Sequence, residues 1–246
     1  MKLHGIVWKR SDFRESSRVV TLITREQGRI RALSKGAHRP NSAVLGKLDL
    51  FNRVEVTLSG RGMPILGRTV LIREPRRLRE PRRFLVAQHL AELFDRTVLD
   101  GRADPEQFDL LDGGLTLVEL APLEQLATIV TGVEVRLLAS LGVLSSLDHC
   151  AQCGRKIESS AHIEDGGGVF CGHHASPQSS RVRLETLRWL DRLVHTPGRQ
   201  WTKLEPPSDQ NSALGVLSRW MTAALEVRLA AREPALRACR GRAASV

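Results

Sequence analysis

The stretch EPRRLREPRR, residues 74–83, divides the sequence into two parts with different hydrophobic patterns. Proline disfavours a helical conformation in the residue before it, so the two prolines mark this stretch as a connection. Before the connection, apolar residues come in short runs, and after it they recur at intervals of three and four. The chain is therefore expected to have an α+β fold, with strands before the connection and helices after it.

Five short β-like runs precede the connection and are separated by turn signals such as EQG and SGRG. A set of five short strands is typical of a small closed barrel. An OB-type barrel fits better than a sandwich, which usually has about seven strands, although an SH3-like barrel also has five. The predicted strands are residues 3–9, 18–24, 29–35, 50–58 and 64–72.

The rest of the chain is predominantly helical by pattern. Asp104 before Pro105, with Gln107 at the third helical position, predicts a capped helix start, and Gly142 is expected to end a later helix. We expect two domains: an OB-fold domain over residues 1–80, and an all-α domain over residues 81–246. The other predicted helices are residues 84–99, 122–142, 182–195 and 212–231.

Positive charge is concentrated before residue 84. Residues 1–83 contain 20 Lys and Arg against 7 Asp and Glu, whereas residues 84–246 contain 17 against 20. Repulsion among so many positive charges lowers the stability of a fold. Such a concentration of charge is typical of a surface that binds an anionic partner. Nucleic acid is favoured over an anionic membrane surface or no partner. No run of apolar residues is long enough for a signal peptide or a membrane span, so we expect a cytoplasmic protein.

The cysteines indicate a metal site. CAQCG, residues 150–154, is followed by CGHH, residues 171–174, and the DGGG between them is typical of a tight turn. Two such Cys-x2-Cys/His turns commonly bind one Zn²⁺, here within an insert at about residues 148–176. His173 is an alternative fourth ligand, but its spacing fits a turn less well. The predicted ligands are Cys150, Cys153, Cys171 and His174.

The predicted metal site is structural rather than catalytic. A zinc ion with four protein ligands has no open position for water, so it stabilises the fold. His162-x-Glu164 resembles part of the nucleobase deaminase motif, but there it precedes the cysteine pair, whereas here it follows it. Other nucleotide-binding and hydrolytic motifs are missing. The sequence therefore predicts a protein that is not an enzyme.

Three stretches of the sequence share motifs, in the same order, with one known protein family. GIVWKRSDFRESSRVVTLITREQGRIRALSKGAHRPNS, residues 5–42, has the family's glycine opening, aromatic-x-E-S segment and K-G-A run in the same order. EVRLLASLGVLSSLDHCAQCG, residues 134–154, is similar to the helix and C-x-x-C-G of that family, and RWMTAALEVRLAARE, residues 219–233, to its last helix. Together the three stretches resemble the RecO family of bacterial recombination mediators, and the resemblance covers nearly the whole chain.

The resemblance implies an OB-fold that binds single- and double-stranded DNA, followed by a helical domain with an inserted zinc knuckle. It also implies annealing of complementary strands and help in loading recombinase onto single-stranded DNA. The implied partners are RecR, the C-terminal tail of single-strand-binding protein and, in some settings, RecF, at the nucleoid. His174 stands where the family more commonly has a fourth cysteine.

The candidate DNA-binding residues are cations beside predicted turns of the barrel. Such groups neutralise phosphates without reading base sequence. The aromatic residues Trp8, Phe13 and Phe51 are expected in the core, so binding should be mostly electrostatic. A sequence-specific transcription regulator or nucleic-acid adaptor is the alternative function. The candidate residues are Lys35, His38, Arg39, Arg10, Arg14, Arg18 and Arg61.

Overall fold

A computed structural model describes residues 2–37, 42, 44, 46–60 and 62–240. By their internal contacts, the residues form two compact units, residues 1–120 and residues 121–246. No described helix is long and apolar enough to cross a membrane.

The first unit contains a closed barrel of five strands, as the sequence predicts. Its strand order, β1-β2-β3-β5-β4 with β4 returning to β1, is antiparallel except for the parallel contact between β3 and β5 at Leu33 and Ile65. This order is that of the predicted OB-type barrel. The strands are β1 Lys2–Phe13, β2 Ser17–Thr24, β3 Gly28–Ser34, β4 Arg53–Ser59 and β5 Ile65–Arg73.

Alternation along the strands builds the barrel core. Successive side chains of a strand point to opposite faces, so every second residue enters the interior. In β2 and β3 these residues include Val20, Leu22, Ile30 and Ala32, all buried. The interior is closed by apolar side chains from the other strands and the β3–β4 connection, among them Leu3, Val7, Leu48, Val54, Val56 and Leu66.

Two helices, α1 Pro81–Thr97 and α2 Pro105–Leu120, complete the first unit. The predicted cap at the start of α2 is present, since the Gln107 backbone N–H donates to the Asp104 carboxylate at 3.0 Å and the Gln107 amide donates to its other oxygen at 2.8 Å. The switch from strands to helices falls where the sequence places it. That residues 1–80 are a domain by themselves stays a prediction, because the compact unit extends to Leu120.

Gly28 fixes the turn between β2 and β3 against the α1–α2 connection. Its φ is +64°, and a Cβ there would lie 2.2 Å from the carbonyl oxygen of Arg102 and 2.4 Å from that of Leu99. The Arg29 N–H donates to the Leu99 carbonyl at 3.1 Å. Only glycine combines this backbone conformation with such a close approach.

The second unit consists of four α-helices and a small sheet. Trp201 packs on Gly132 of α3, where a Cβ would lie 2.7 Å from the indole ring. Arg136 stacks on the same indole, 4.7 Å from its centroid, and donates to carbonyl groups at the end of α4. The helices are α3 Leu126–Ser140, α4 Leu184–His195, α5 Gln210–Leu225 and α6 Arg232–Cys239.

One helix prediction is wrong. The pattern over residues 212–231 predicts a single helix, but α5 ends at Leu225 and a separate helix, α6, follows. Glu226 has a φ of +50°, a left-handed conformation that ends a helix. Arg232 then forms a two-contact ion pair with the buried Glu134 of α3, with both N–O distances at 2.9 Å, and this pair fixes the start of α6.

The insert between α3 and α4 contains a three-stranded sheet of order β7-β6-β8. Gly167, at a φ of +82°, lies in the predicted DGGG turn between β6 and β7. The strands of this small sheet have three residues each and supply few core side chains. They are β6 Ala161–Ile163, β7 Val169–Cys171 and β8 Ser180–Val182.

Candidate metal centre and nucleic-acid interface

Two tight turns in the insert carry the predicted metal ligands. In the first, the Gly154 N–H donates to the Cys150 carbonyl at 2.9 Å, and Gly154 adopts a φ of +68°. In the second, the His174 N–H donates to the Cys171 carbonyl at 3.0 Å, directly after β7. The two turns are held together by the Ala151 N–H, which donates to the Val169 carbonyl at 2.8 Å.

The structure brings the four predicted ligands together. One ligand atom from each of Cys150, Cys153, Cys171 and His174 lies within 4.8 Å of the others, and the four could hold a metal ion. The His174 Nδ1 is 3.3 Å from the Cys171 sulfur and 3.6 Å from the Cys150 sulfur. Zinc bond lengths of about 2.3 Å to sulfur and about 2.05 Å to nitrogen imply a separation of about 3.5 Å in a tetrahedral site. The donor set therefore fits zinc.

The thiols influence one another in a way that a cation would relieve. Burial, the largest influence on Cys150, would raise its pKa, but backbone N–H groups of Cys171, Cys153 and Gln152 outweigh it and lower the pKa to about 6. For Cys153, the backbone N–H of Arg155 lowers the pKa, but desolvation and the neighbouring Cys150 thiol together raise it. Ionisation of one thiol thus opposes ionisation of the next, and a divalent cation would stabilise both thiolates.

Other residues weighed as ligands lie outside this cluster. His173 is exposed and is not part of it. His162 lies on β6, opposite Phe170 and Arg181, and also does not belong to the cluster. Within the described part of the chain, no second group of three or more His, Cys, Asp or Glu side chains comes together in this way. The deaminase alternative gains no support from this arrangement.

The predicted DNA-binding cations differ in their surroundings. Arg10 forms an ion pair with Asp49, and Arg18 forms one with Asp12 at 3.0 Å. Arg14 and Lys35 are exposed and, within the described part of the chain, form no ion pair. The remaining three candidates, His38, Arg39 and Arg61, lie outside the described residues.

Much of the positive charge of the barrel is neutralised inside the first unit. Asp95 of α1, for example, accepts a hydrogen bond from Lys9 at 2.7 Å and lies 3.5 Å from Arg29. Counted over residues 1–120, the unit has 22 Lys and Arg against 15 Asp and Glu. Five barrel cations pair with acids of α1, α2 or their connection: Lys9 with Asp95, Arg25 with Asp109, Arg29 with Asp95 and Asp100, Arg53 with Asp112, and Arg73 with Glu119.

The ionisation of these groups reflects burial and pairing. Burial is the largest influence on Asp95 and opposes ionisation, but Lys9 and Arg29 outweigh it and hold the pKa of Asp95 below its ordinary value. For Asp112, burial dominates and raises the pKa despite the nearby Arg53. The paired cations therefore form ion pairs within the fold, and a DNA phosphate would have to compete with a carboxylate for each of them.

One aromatic prediction is wrong. Trp8 and Phe51 are buried, as expected, and the Phe51 ring packs edge-to-face on Phe84 with centroids 5.7 Å apart. Phe13 is instead 41% exposed, because it lies at the end of β1 in a hairpin that extends beyond the barrel core.

Two family models match the chain almost from end to end. The model described as "Recombination protein O N terminal" matches residues 1–74, and that described as "Recombination protein O C terminal" matches residues 78–233. The chain belongs to the RecO family. Membership supports a role in recombinational DNA repair.

Curated RecO proteins are similar over most of their length. The "DNA repair protein RecO" of Geobacter metallireducens is 34% identical over 216 residues, covering 86% of this chain and 87% of that protein. The same-named protein of Anaeromyxobacter dehalogenans is 33% identical and covers 78% of each chain. That of Nocardioides sp. is 30% identical and covers 84% of this chain and 86% of its own.

The sequence predictions for this RecO-family chain missed three exposed or half-exposed cations of the barrel. Arg31 lies on β3, and Lys47 and Arg68 line a shallow groove along β5. Within the described residues, none of the three forms an ion pair with an acid. The alternation in RIRALS, residues 29–34, is the signal that would have placed Arg31 on the outer face of the barrel.

Proposed function

We propose that this chain is a non-catalytic DNA-binding protein that anneals complementary strands and helps load recombinase onto single-stranded DNA during recombinational repair. The observation that carries the proposal is a closed five-stranded barrel with unpaired cations on its outside, in a member of the RecO family. Arg14, Arg31 and Lys35 are free to contact phosphates, because no carboxylate competes for them within the described residues.

Annealing follows from charge neutralisation. Two complementary strands repel each other through their phosphates, and cations on one protein surface lower that repulsion by releasing condensed counterions. Phosphate contacts carry no base information, so strands of any sequence are accepted. We place this activity in the cytoplasm, at the nucleoid, on single- and double-stranded DNA.

The second part of the proposal is a structural Zn²⁺ held by Cys150, Cys153, Cys171 and His174. The ion would supply folding free energy to an insert whose short strands bury little apolar surface. By binding the same ion, the three thiolates and the imidazole would hold the two tight turns at a fixed distance from each other. No residue of this cluster has a role in bond making.

The proposed protein partners are RecR, the C-terminal tail of single-strand-binding protein and, in some settings, RecF. We assign the tail to residues 84–246. Residues 84–246 carry 17 Lys and Arg against 20 Asp and Glu, so this region is a poor surface for DNA and a candidate surface for a protein partner. A labelled tail peptide should bind the full chain, and a scrambled peptide of equal charge should bind more weakly. Equal affinity for both peptides would contradict a specific site.

The decisive experiment measures annealing of complementary oligonucleotides coated with single-strand-binding protein. The full chain should accelerate annealing for two unrelated sequences, and a variant with both Arg31→Ala and Lys35→Ala should be slower on each. Lys2→Ala is the matched control, because Lys2 is an exposed barrel cation that pairs with Glu55 at 3.2 Å. No acceleration by the wild type would refute the proposal. Tight binding of one sequence without annealing would instead favour a transcription regulator.

A further inference from the structure

Phe13 lies at the end of a protruding β-hairpin. It pairs with Ser17 across the hairpin, and the three residues between them, 14–16, form the turn. All five residues of β1 from Lys9 to Phe13 are exposed, so the hairpin extends beyond the packed barrel. Burial of a phenylalanine ring is strongly favourable, and an exposed ring at such a position leaves that free energy available to a partner.

The Phe13 ring is on the outer face of the barrel. Val20 belongs to the interior and pairs with Arg10, so the alternate pairs, Ser11 with Val19 and Phe13 with Ser17, face outward. On the neighbouring strand, Arg31 pairs with Thr21 and shares this outer face by the same alternation. An exposed ring and an unpaired cation therefore lie on one surface of the β1–β2–β3 sheet.

Arg14 adds a second cation beside the ring. It has a φ of +57°, a left-handed conformation that turns the chain directly after Phe13. Its guanidinium carbon lies 5.4 Å from the centroid of the Phe13 ring. Within the described residues, Arg14 forms no ion pair with an acid, so its charge is available to an anion bound next to the ring.

An aromatic ring with one cation beside it and another on the same outer face matches the chemistry of single-stranded nucleic acid. The base is a flat apolar surface that stacks on a ring, and the phosphate on either side is an anion. A duplex keeps its bases stacked on one another, so an external ring gains little from it. An apolar protein partner would leave the arginines without an anion, and a partner that is only anionic would leave the Phe13 ring exposed.

We propose that Phe13 is a base-stacking residue that gives the barrel a preference for single-stranded over double-stranded DNA. A base unstacked from its strand lies on the Phe13 ring, while Arg14 contacts a phosphate next to that base. Arg31 lies opposite Thr21, four residues along β2 from the Ser17 that pairs with Phe13, and contacts the backbone of the same strand farther along. This inference rests on the proposed DNA-binding function and adds to it a contact that is independent of salt. The electrostatic contacts set the overall affinity, and the ring sets the strand preference.

The test measures the stacked base directly. Single-stranded oligonucleotides carrying 2-aminopurine are titrated with the full chain, because the fluorescence of this base changes when it stacks on an aromatic ring. Phe13→Ala should abolish the protein-dependent change and weaken single-strand binding by about 5- to 150-fold. Double-strand affinity should change by less than about two-fold, and the salt dependence of single-strand binding should stay the same, since phenylalanine has no charge.

Two further variants separate stacking from other effects. Phe13→Leu keeps an apolar side chain without a π-face and should behave like Phe13→Ala, whereas Phe13→Trp should restore both affinity and fluorescence change. Ile72→Ala is the matched control, because Ile72 is also an exposed apolar strand residue, at 57% exposure, and its loss should leave DNA binding unchanged. Circular dichroism checks that each variant is folded.

Each outcome decides between the two proposals. Wild-type affinity and fluorescence change in Phe13→Ala or Phe13→Leu would overturn the stacking proposal while leaving electrostatic binding intact. A wild type that binds neither form of DNA would instead refute the proposed function itself. Equal weakening of single- and double-strand binding by Phe13→Ala would also exclude the strand preference.

Discussion

The two compact units use their charged and metal-binding groups in different ways. In residues 1–120, cations of the barrel pair with acids of α1, α2 and their connection, so the polypeptide supplies both partners. In residues 121–246, the insert brings together three thiols and an imidazole that could hold a metal ion, and the Cys150 thiol raises the pKa of Cys153. The first unit thus supplies both partners of these ion pairs, whereas the proposed zinc site of the second unit would take its cation from solution.

Removal of a metal ligand should have the largest effect. Cys153→Ser is expected to reduce bound zinc from one ion per chain to nearly none and to lower the local stability of the insert by about 3 kcal/mol or more. Elemental analysis measures the metal, and hydrogen exchange should show faster exchange in residues 161–171 with little change in the barrel strands. Cys239→Ser, outside the cluster, should retain the metal. Zinc-free wild-type protein would contradict the proposed site.

Gly28→Ala should be the most damaging change within the first unit. The new Cβ would meet two backbone carbonyl oxygens, which cannot move aside as a side chain could. We expect a loss of about 2–4 kcal/mol, measured by urea denaturation. Gly46→Ala is the matched control, since Gly46 also has a positive φ, +74°, but no atom within 4 Å of the added Cβ. A similar loss in both variants would show that backbone strain, and not the close approach, decides.

Asp95→Asn tests the ion pairs between the barrel and α1. Loss of the carboxylate should lower the free energy of unfolding by about 1–2 kcal/mol at pH 7, because Lys9 and Arg29 lose their shared partner. Folding lowers the pKa of Asp95, so its stabilisation is present above the unfolded value of 3.8 and is lost as pH falls through the folded pKa. The difference in the free energy of unfolding between wild type and Asp95→Asn should therefore become smaller below pH 3.8.

Asp109→Asn is the control for burial in this experiment. Asp109 pairs with Arg25 in the same unit, but both side chains are half-exposed to water, at 57% and 50%. Its loss should change stability far less than the loss of Asp95, since solvent screens an exposed pair. If Asp109→Asn destabilises the protein as much as Asp95→Asn, burial is not what distinguishes the pairs.

The smallest effect is expected from cations that have no acidic partner. Arg31→Ala with Lys35→Ala should leave stability nearly unchanged but make the slope of log affinity against log salt shallower by about 1.4 for single-stranded DNA. Lys2→Ala with Arg25→Ala removes two cations that already have acidic partners, and should change the slope less. Fluorescence anisotropy across a salt series measures both. Equal changes of slope in the two double variants would mean that an ion pair within the protein does not decide which cations contact DNA.

Local patterns were sufficient to predict most elements and to identify the four side chains that come together in the insert. Alternating apolar residues set the five strands, and the predicted bounds differ from the observed ones by only a few residues. The four candidate ligands come together because each Cys-x2-Cys/His turn is a local structure, and the backbone hydrogen bond from Ala151 to Val169 joins the two turns. Neither result needs knowledge of contacts between distant parts of the chain.

Long-range packing explains what the sequence did not predict. Charge counted along the chain separates Arg29 from Asp100, whereas the fold pairs them, so the sequence overstates the free positive charge of the barrel. Phe13 is an apolar residue of a type that is usually buried, but it lies at the end of a hairpin and is 41% exposed. The end of α5 at Glu226 depends on a left-handed residue for which the helical period gives no signal.

The burial of Trp201 against Gly132 has a consequence for spectroscopy. The chain has four tryptophans and no tyrosine, and Trp189, Trp201 and Trp220 all belong to the second unit, whereas Trp8 alone belongs to the first. All four indoles are buried. Intrinsic emission is therefore dominated by the second unit, and a Trp8→Phe variant would report the unfolding of the second unit alone. The difference in emission between wild type and this variant would report the first unit, without an attached dye.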